Sequence, residues 1–209
     1  MKRILAFTML LALVLSLLTA CGGSGNPGGG DNTDNASAQA SRDVILASQL
    51  LSAEDATALL GQSFEAEDRE LPYTPFTDKI SYQSESLSLS VMLTQEALHD
   101  KDSDLENDLV KNGWESYMRA MERTYAENTN ESLNIFKAEG VQGASAYMQE
   151  GIGFGQWLLH IFTGEYIIWI TLGNQSMSKE DTEEEIAWKQ AKLIELGNFA
   201  VERLAEILG

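Results

Sequence analysis

The feature that most narrows the fold is a pair of apolar runs, residues 157–163 (WLLHIFT) and 166–172 (YIIWITL), on either side of Gly164-Glu165. A two-residue link with glycine first predicts a tight β-hairpin, because the turns that match strand twist need a positive φ there. That turn sets Thr163 opposite Tyr166. Ile161 then pairs with Ile168, Leu159 with Ile170 and Trp157 with Leu172 on one face. Phe162 pairs with Ile167, His160 with Trp169 and Leu158 with Thr171 on the other. Both faces are mostly apolar, and a sheet cannot leave two such surfaces in water. Each side therefore needs a cover, either helices on both or a helix on one and a ligand on the other.

The flanking sequence offers candidates for that cover. Ser52, with Asp55 three residues on, predicts a capped helix ended by Gly61, with Ala56, Leu59 and Leu60 on its apolar side. After a polar stretch with Pro72 and Pro75, Ile80 and Tyr82 open one strand. LSLSVMLT, residues 87–94, alternates well, with Leu87, Leu89, Val91 and Leu93 on one face, and predicts a half-buried second. Ser103 and Glu106 read as a capping box for a long amphipathic helix carrying Leu105, Leu109, Trp114, Tyr117, Met118, Met121 and Tyr125. Leu133, Ile135 and residues 144–148 suggest two extended pieces around Gly140 and Gly143. A last helix, from about Thr182 to Leu208, places Ile186, Leu193, Ile194, Gly197, Val201, Leu204 and Leu208 on one side. Its acidic start, residues 180–185, suits the positive end of the helix dipole. The order predicts an α+β domain built on a mainly antiparallel sheet with helices on both faces.

The N-terminus predicts location. MKRILAFTMLLALVLSLLTAC has a basic start at Lys2 and Arg3, an apolar run from Ile4 to Leu18, and small residues before Cys21. This is the anatomy of a removable secretory signal. Leu18-Thr19-Ala20-Cys21 also resembles the lipobox of bacterial lipoproteins, and Cys21 is the chain's single cysteine. The resemblance implies a lipid anchor on Cys21 at the extracytoplasmic face of the membrane. Two or more acyl chains hold a protein firmly to a bilayer. Residues 1–20 read as signal, 21–42 as lipidated cysteine plus a flexible Gly/Ser/Asn linker, and 43–209 as one globular domain. The chain carries a net charge of -18; loss of Lys2 and Arg3 with the signal takes it two further, to -20. That balance argues against nucleic acid as a partner.

LLSAEDATALLG, the alternating strand, EGVQGASAYMQ, GQWLLHIFTGEYIIWITLG and the closing AVERLAEIL together resemble small bacterial envelope lipoproteins of the DUF3558-like kind. The resemblance spans most of residues 52–208 and implies a fold similar to the PsbP and Mog1 proteins, an antiparallel sheet with helices on both faces. Actinobacterial members often carry a cysteine pair in the domain, which this chain lacks. The resemblance transfers no catalytic residues.

Residues with recognisable chemistry are sparse. Asp100, Asp102 and Asp104 imitate the start of a calcium loop, but Leu105 stands where glycine is required and Lys111 where the closing glutamate belongs. Gly151, Gly153 and Gly155 lead into a strand rather than a helix, so they read as a hairpin connection with Phe154 at its tip. His99 and His160 have neither the number nor the spacing of a metal site, and His160 reads as a packed, hydrogen-bonded sheet residue. No GxSxG elbow is present. The expectation is a non-enzymatic module, with no cofactor and no metal, that binds an envelope partner or a small apolar ligand. Trp157, Leu158, Phe162 and Trp169 are the candidate pocket residues. The alternatives are an accessory subunit of a transporter or sensor and, less favoured, a hydrolase using a carboxylate pair.

Overall fold

Thr163 N donates to Tyr166 O at 3.1 Å across Gly164-Glu165 in the computed structural model of this chain. The structure describes residues 43–67, 76–98, 113–129, 134–151, 155–176 and 181–209. The signal segment with Cys21, the linker to residue 42, the prolines at 72 and 75, Asp100, Asp102, Asp104, His99, Leu133 and Phe154 lie outside them. Gly164 has φ 91°, the left-handed region that the tight turn demands. All six cross-strand pairs predicted for the hairpin are the observed register.

Twelve short and long segments of regular structure follow one another among the described residues. Helices α1 (Ala47–Leu50) and α2 (Ala53–Leu60) precede strands β1 (Glu65–Ala66), β2 (Thr77–Gln83) and β3 (Leu87–Thr94), and a single 3₁₀ turn, Glu96–Leu98, follows β3. Helix α3 (Trp114–Glu127) leads to β4 (Ile135–Lys137), β5 (Ser145–Glu150), β6 (Trp157–Phe162), β7 (Ile167–Asn174) and helix α4 (Glu183–Leu208). The strands form one seven-stranded sheet in the order β1-β2-β3-β7-β6-β5-β4, antiparallel throughout. Two meanders thus meet in the middle of the sheet, where β3 pairs with β7. Val44–Gly209 form one compact unit.

Alternation decides what each face packs against. Leu89, Val91 and Leu93 of β3, Ile168, Ile170 and Leu172 of β7, and Leu159 and Ile161 of β6 join Leu193, Leu196, Ala200 and Leu204 of α4 in one core with almost no exposed surface. Burial of each such side chain contributes about 1.5–3 kcal/mol. A second cluster forms from the opposite parity. Tyr147, Phe162, Ile167 and Trp169 pack with Trp114, Tyr117, Met118, Met121 and Tyr125 of α3. Gly197 of α4 lies so close to β6 that an added Cβ would stand 2.7 Å from Leu159 Cδ2.

Three departures from the sequence reading are found. The amphipathic helix read from Ser103 is described only from Trp114, after a non-helical Gly113 at φ 90°; Ser103, Leu105, Glu106 and Leu109 lie outside the described residues. Helix α1 had no sequence signal because its support is tertiary. Asp78 Oδ2 accepts from Ala47 N at 2.7 Å, and the Gln95 side chain bonds both N and O of Ile45. Leu208, assigned to the apolar stripe of α4, is 50 % exposed. The capped helix α2 is as read, with Ser52 Oγ accepting from Asp55 N and Asp55 Oδ2 from Ser52 N. No helix among the described residues is long and apolar enough to cross a membrane.

Candidate functional site

The four sequence candidates do not converge. Trp157 is buried on the α4 side, edge-on to Phe136 at 6.2 Å. Leu158, Phe162 and Trp169 belong to the opposite parity, where Phe162 is 3 % exposed and Leu158 and Trp169 are half-buried. His160 sits among them, tilted against Tyr125 at 4.3 Å and edge-on to Trp169 at 4.9 Å. It is packed as read, but it is not hydrogen-bonded. Neither imidazole nitrogen, nor Trp169 Nε1, finds a partner among the described residues. Burial alone drives its pKa down to about 3, because an imidazolium stripped of water has nothing to stabilise it. His160 is therefore a neutral ring inside an aromatic layer.

A concavity lies where β7 ends and α4 begins. A cleft of about 570 Å³ is lined by Gln62, Glu85, Leu87, Gln175, Trp188 and Lys189, among others. Four separate segments build it: the chain leaving α2, the β2–β3 turn, the end of β7 and the first turns of α4. The floor is tied down by side chains. Gln62 Oε1 accepts from Ser84 Oγ at 3.0 Å and Ser86 Oγ at 2.7 Å, and Gln175 Nε2 donates to Gln83 Oε1 at 2.7 Å. The Thr182–Glu185 capping box starts α4, with Glu185 Oε2 accepting from Thr182 N at 2.9 Å.

Lys189 organises the inner wall. Its Nζ donates to Asp181 Oδ2 at 2.6 Å, Asn174 Oδ1 at 2.8 Å and Gly155 O at 2.8 Å. Asn174 Nδ2 closes the ring by donating to Asp181 Oδ1 at 2.8 Å. An ammonium has three protons, and all three are used. The ring joins the β5–β6 connection, the end of β7 and the start of α4. Gly155 is required beside it, since a Cβ there would stand 2.5 Å from Asn174 Nδ2 and 2.6 Å from Asp181 Oδ2.

Trp188 stands at the rim, 38 % exposed, and its indole N–H has no partner among the described residues. Trp114, by contrast, donates its indole N–H to Glu165 O at 3.0 Å. Sequence reasoning missed the cleft, although one signal was available. Lys189 interrupts the apolar stripe between Ile186 and Leu193, and a lysine there needs a buried partner. Among the described residues no group of three His, Cys, Asp or Glu side chains could hold a metal ion. Comparison with family models, with curated proteins and with solved structures finds no match to this chain.

Proposed function

We propose that this chain is a lipid-anchored extracytoplasmic binding module, tethered through Cys21 and its Gly-rich linker, that takes a small ligand in the cleft beside Trp188. The observation that carries the ligand site is the cleft itself. A space of about 570 Å³ falls in the range of small-molecule sites, and a large aromatic side chain is left at its edge instead of in the core. The lipobox-like LTAC and the basic, then apolar, leader support the anchor. The two packing clusters of opposite parity support a sheet covered by helices on both faces, in the manner of the PsbP and Mog1 proteins and the DUF3558-like lipoproteins. A rigid floor of side-chain hydrogen bonds suits a preformed site.

Two measurements test this. Full-length chain expressed in a bacterium with an alkyne-labelled fatty acid is expected to take up label and fractionate with membranes, and Cys21→Ser to lose both. Absence of label on the unaltered chain overturns the anchor. Native mass spectrometry of the lipoprotein, gently extracted in detergent, is expected to show an added mass that Trp188→Ala loses. An added mass that Trp188→Ala retains places the ligand elsewhere.

A further inference from the structure

We propose that helix α3 is a cover released by acid, with His160 beneath it as the trigger. The imidazole is 1 % exposed, and the Tyr125 ring of α3 closes over it at 4.3 Å. Neither of its nitrogens, nor the indole nitrogen of Trp169 beside it, has a hydrogen-bond partner among the described residues. Buried polar atoms are as a rule paired, so three orphans in one place mark a packing that tolerates His160 only as a neutral ring. Protonated, the ring carries a full charge and two N–H donors, with neither water nor an acceptor to receive them.

The surroundings of His160 do not answer that charge. It faces Tyr125 of α3, with Tyr117 next to that ring, Tyr147 of β5 as cross-strand partner, and Trp169 of β7. Burial raises the pKa of all three tyrosines, so their hydroxyls stay neutral in acid. The charged groups nearby, Glu122 on α3 and Lys137 on β4, act on Tyr147 in opposite directions. Among the described residues burial alone sets the preference of His160 for its neutral form.

Helix α3 is the element that yields. Met118 is its one buried residue, and its ion pairs, Glu115 with Arg119 and Arg123 with Glu127, are internal to the helix and exposed. Helix α4, on the other face, sinks Leu193, Leu196, Ala200 and Leu204 into the larger core. Elements with few buried apolar contacts open first. Lifting α3 brings water to His160 and bares Tyr147, Phe162, Ile167 and Trp169, while the core between the sheet and α4 stays closed. The closed form holds the imidazole pKa near 3, against 6.5 in water. The open form therefore binds a proton that the closed form does not, and opening is favoured as pH falls below 6.5.

Hydrogen exchange of the full chain in a neutral maltoside detergent, followed by mass spectrometry at pH 7 and pH 4.5, tests this. After correction for intrinsic rates, the α3 amides are expected to lose protection by roughly tenfold or more at the lower pH. They are also expected to stay less protected than the amides of β3 and β7, whose exposure requires the sheet itself to unfold. His160→Phe is expected to abolish the pH dependence of α3, and His160→Gln, neutral at both pH values, to do the same with a polar side chain. Protection of β3 and β7 at pH 7 verifies the fold of each variant. Equal protection in α3 and the two strands means that opening is global and overturns the proposal. So does protection of α3 that ignores pH, or that falls as far in the two variants as in the unaltered chain.

Discussion

Lys189 Nζ lies 2.6 Å from Asp181 Oδ2, and both side chains are 2 % exposed. Desolvation makes such a pair a poor source of net stability, yet removal of one member leaves a charge buried without a partner. Lys189→Met is therefore expected to cost about 3–5 kcal/mol, and Lys189→Met with Asp181→Asn to recover most of it. Urea unfolding of the two variants checks this. Equal losses in the single and double variants would show that packing, and not charge, dominates at this position.

His160 predicts an acid-sensitive stability. Its folded pKa is depressed to about 3 from an ordinary 6.5, so between those values the unfolded chain holds a proton that the folded chain does not. Stability then falls as pH drops from 6.5 towards 3, by about 1.4 kcal/mol per unit from this group. His160→Phe keeps an aromatic ring and removes the titration. Between pH 6.5 and pH 4.5 it is expected to lose about 2 kcal/mol less than the unaltered protein. Parallel slopes in urea midpoints across that interval would count against it.

Gly197 allows α4 to approach β6. A Cβ there would meet Leu159 Cδ2 at 2.7 Å and Ile161 Cδ1 at 3.1 Å, inside a core where both side chains are fully buried. Alanine favours a helix over glycine by about 1 kcal/mol, but overpacking costs typically 1–3 kcal/mol. Gly197→Ala is expected to lower stability on balance, by about 1 kcal/mol. A raised melting temperature would show that the helix can back away freely.

Tyr82 OH donates to Leu51 O at 2.6 Å and ties the sheet to the end of α1. Burial, with the nearby charge of Asp55, pushes its pKa up to about 12, so the bond persists well above neutral pH. Tyr82→Phe leaves a buried carbonyl short of its donor and is expected to cost about 1–2 kcal/mol. Thermal unfolding at pH 7 measures it, and a loss below a few tenths would mean that the carbonyl finds another donor.

Elements written into local pattern were legible. Two apolar runs and the glycine turn between them were enough for every pair of the β6–β7 hairpin, and Ser52 with Asp55 located α2. Features made by distant residues were not. Helix α1 depends on Asp78 and Gln95, and the cleft gathers segments that only the finished sheet brings together. The aromatic candidates had an apolar signal that core and pocket share, and Trp157 and Phe162 lie buried in the two clusters. Trp188, close after a glutamate run, carries no local pattern that separates a cleft rim from any other exposed helix face. The capping pattern at Ser103 and Glu106 drew the expected helix start upstream of Gly113, the residue that precedes Trp114 at the start of α3.

The β3–β7 junction has a consequence for how the molecule comes into being. Leu89 pairs with Leu172, and Val91 with Ile170, partners ~80 residues apart along the chain, so their union closes a large loop and raises contact order. Until β7 is available, β3 presents an apolar strand with an open edge, and edges of that kind invite pairing with other chains. A growing or truncated polypeptide that stops short of Ile167 therefore holds the first meander with its stickiest side bare. Its safety before completion depends on being kept from its neighbours.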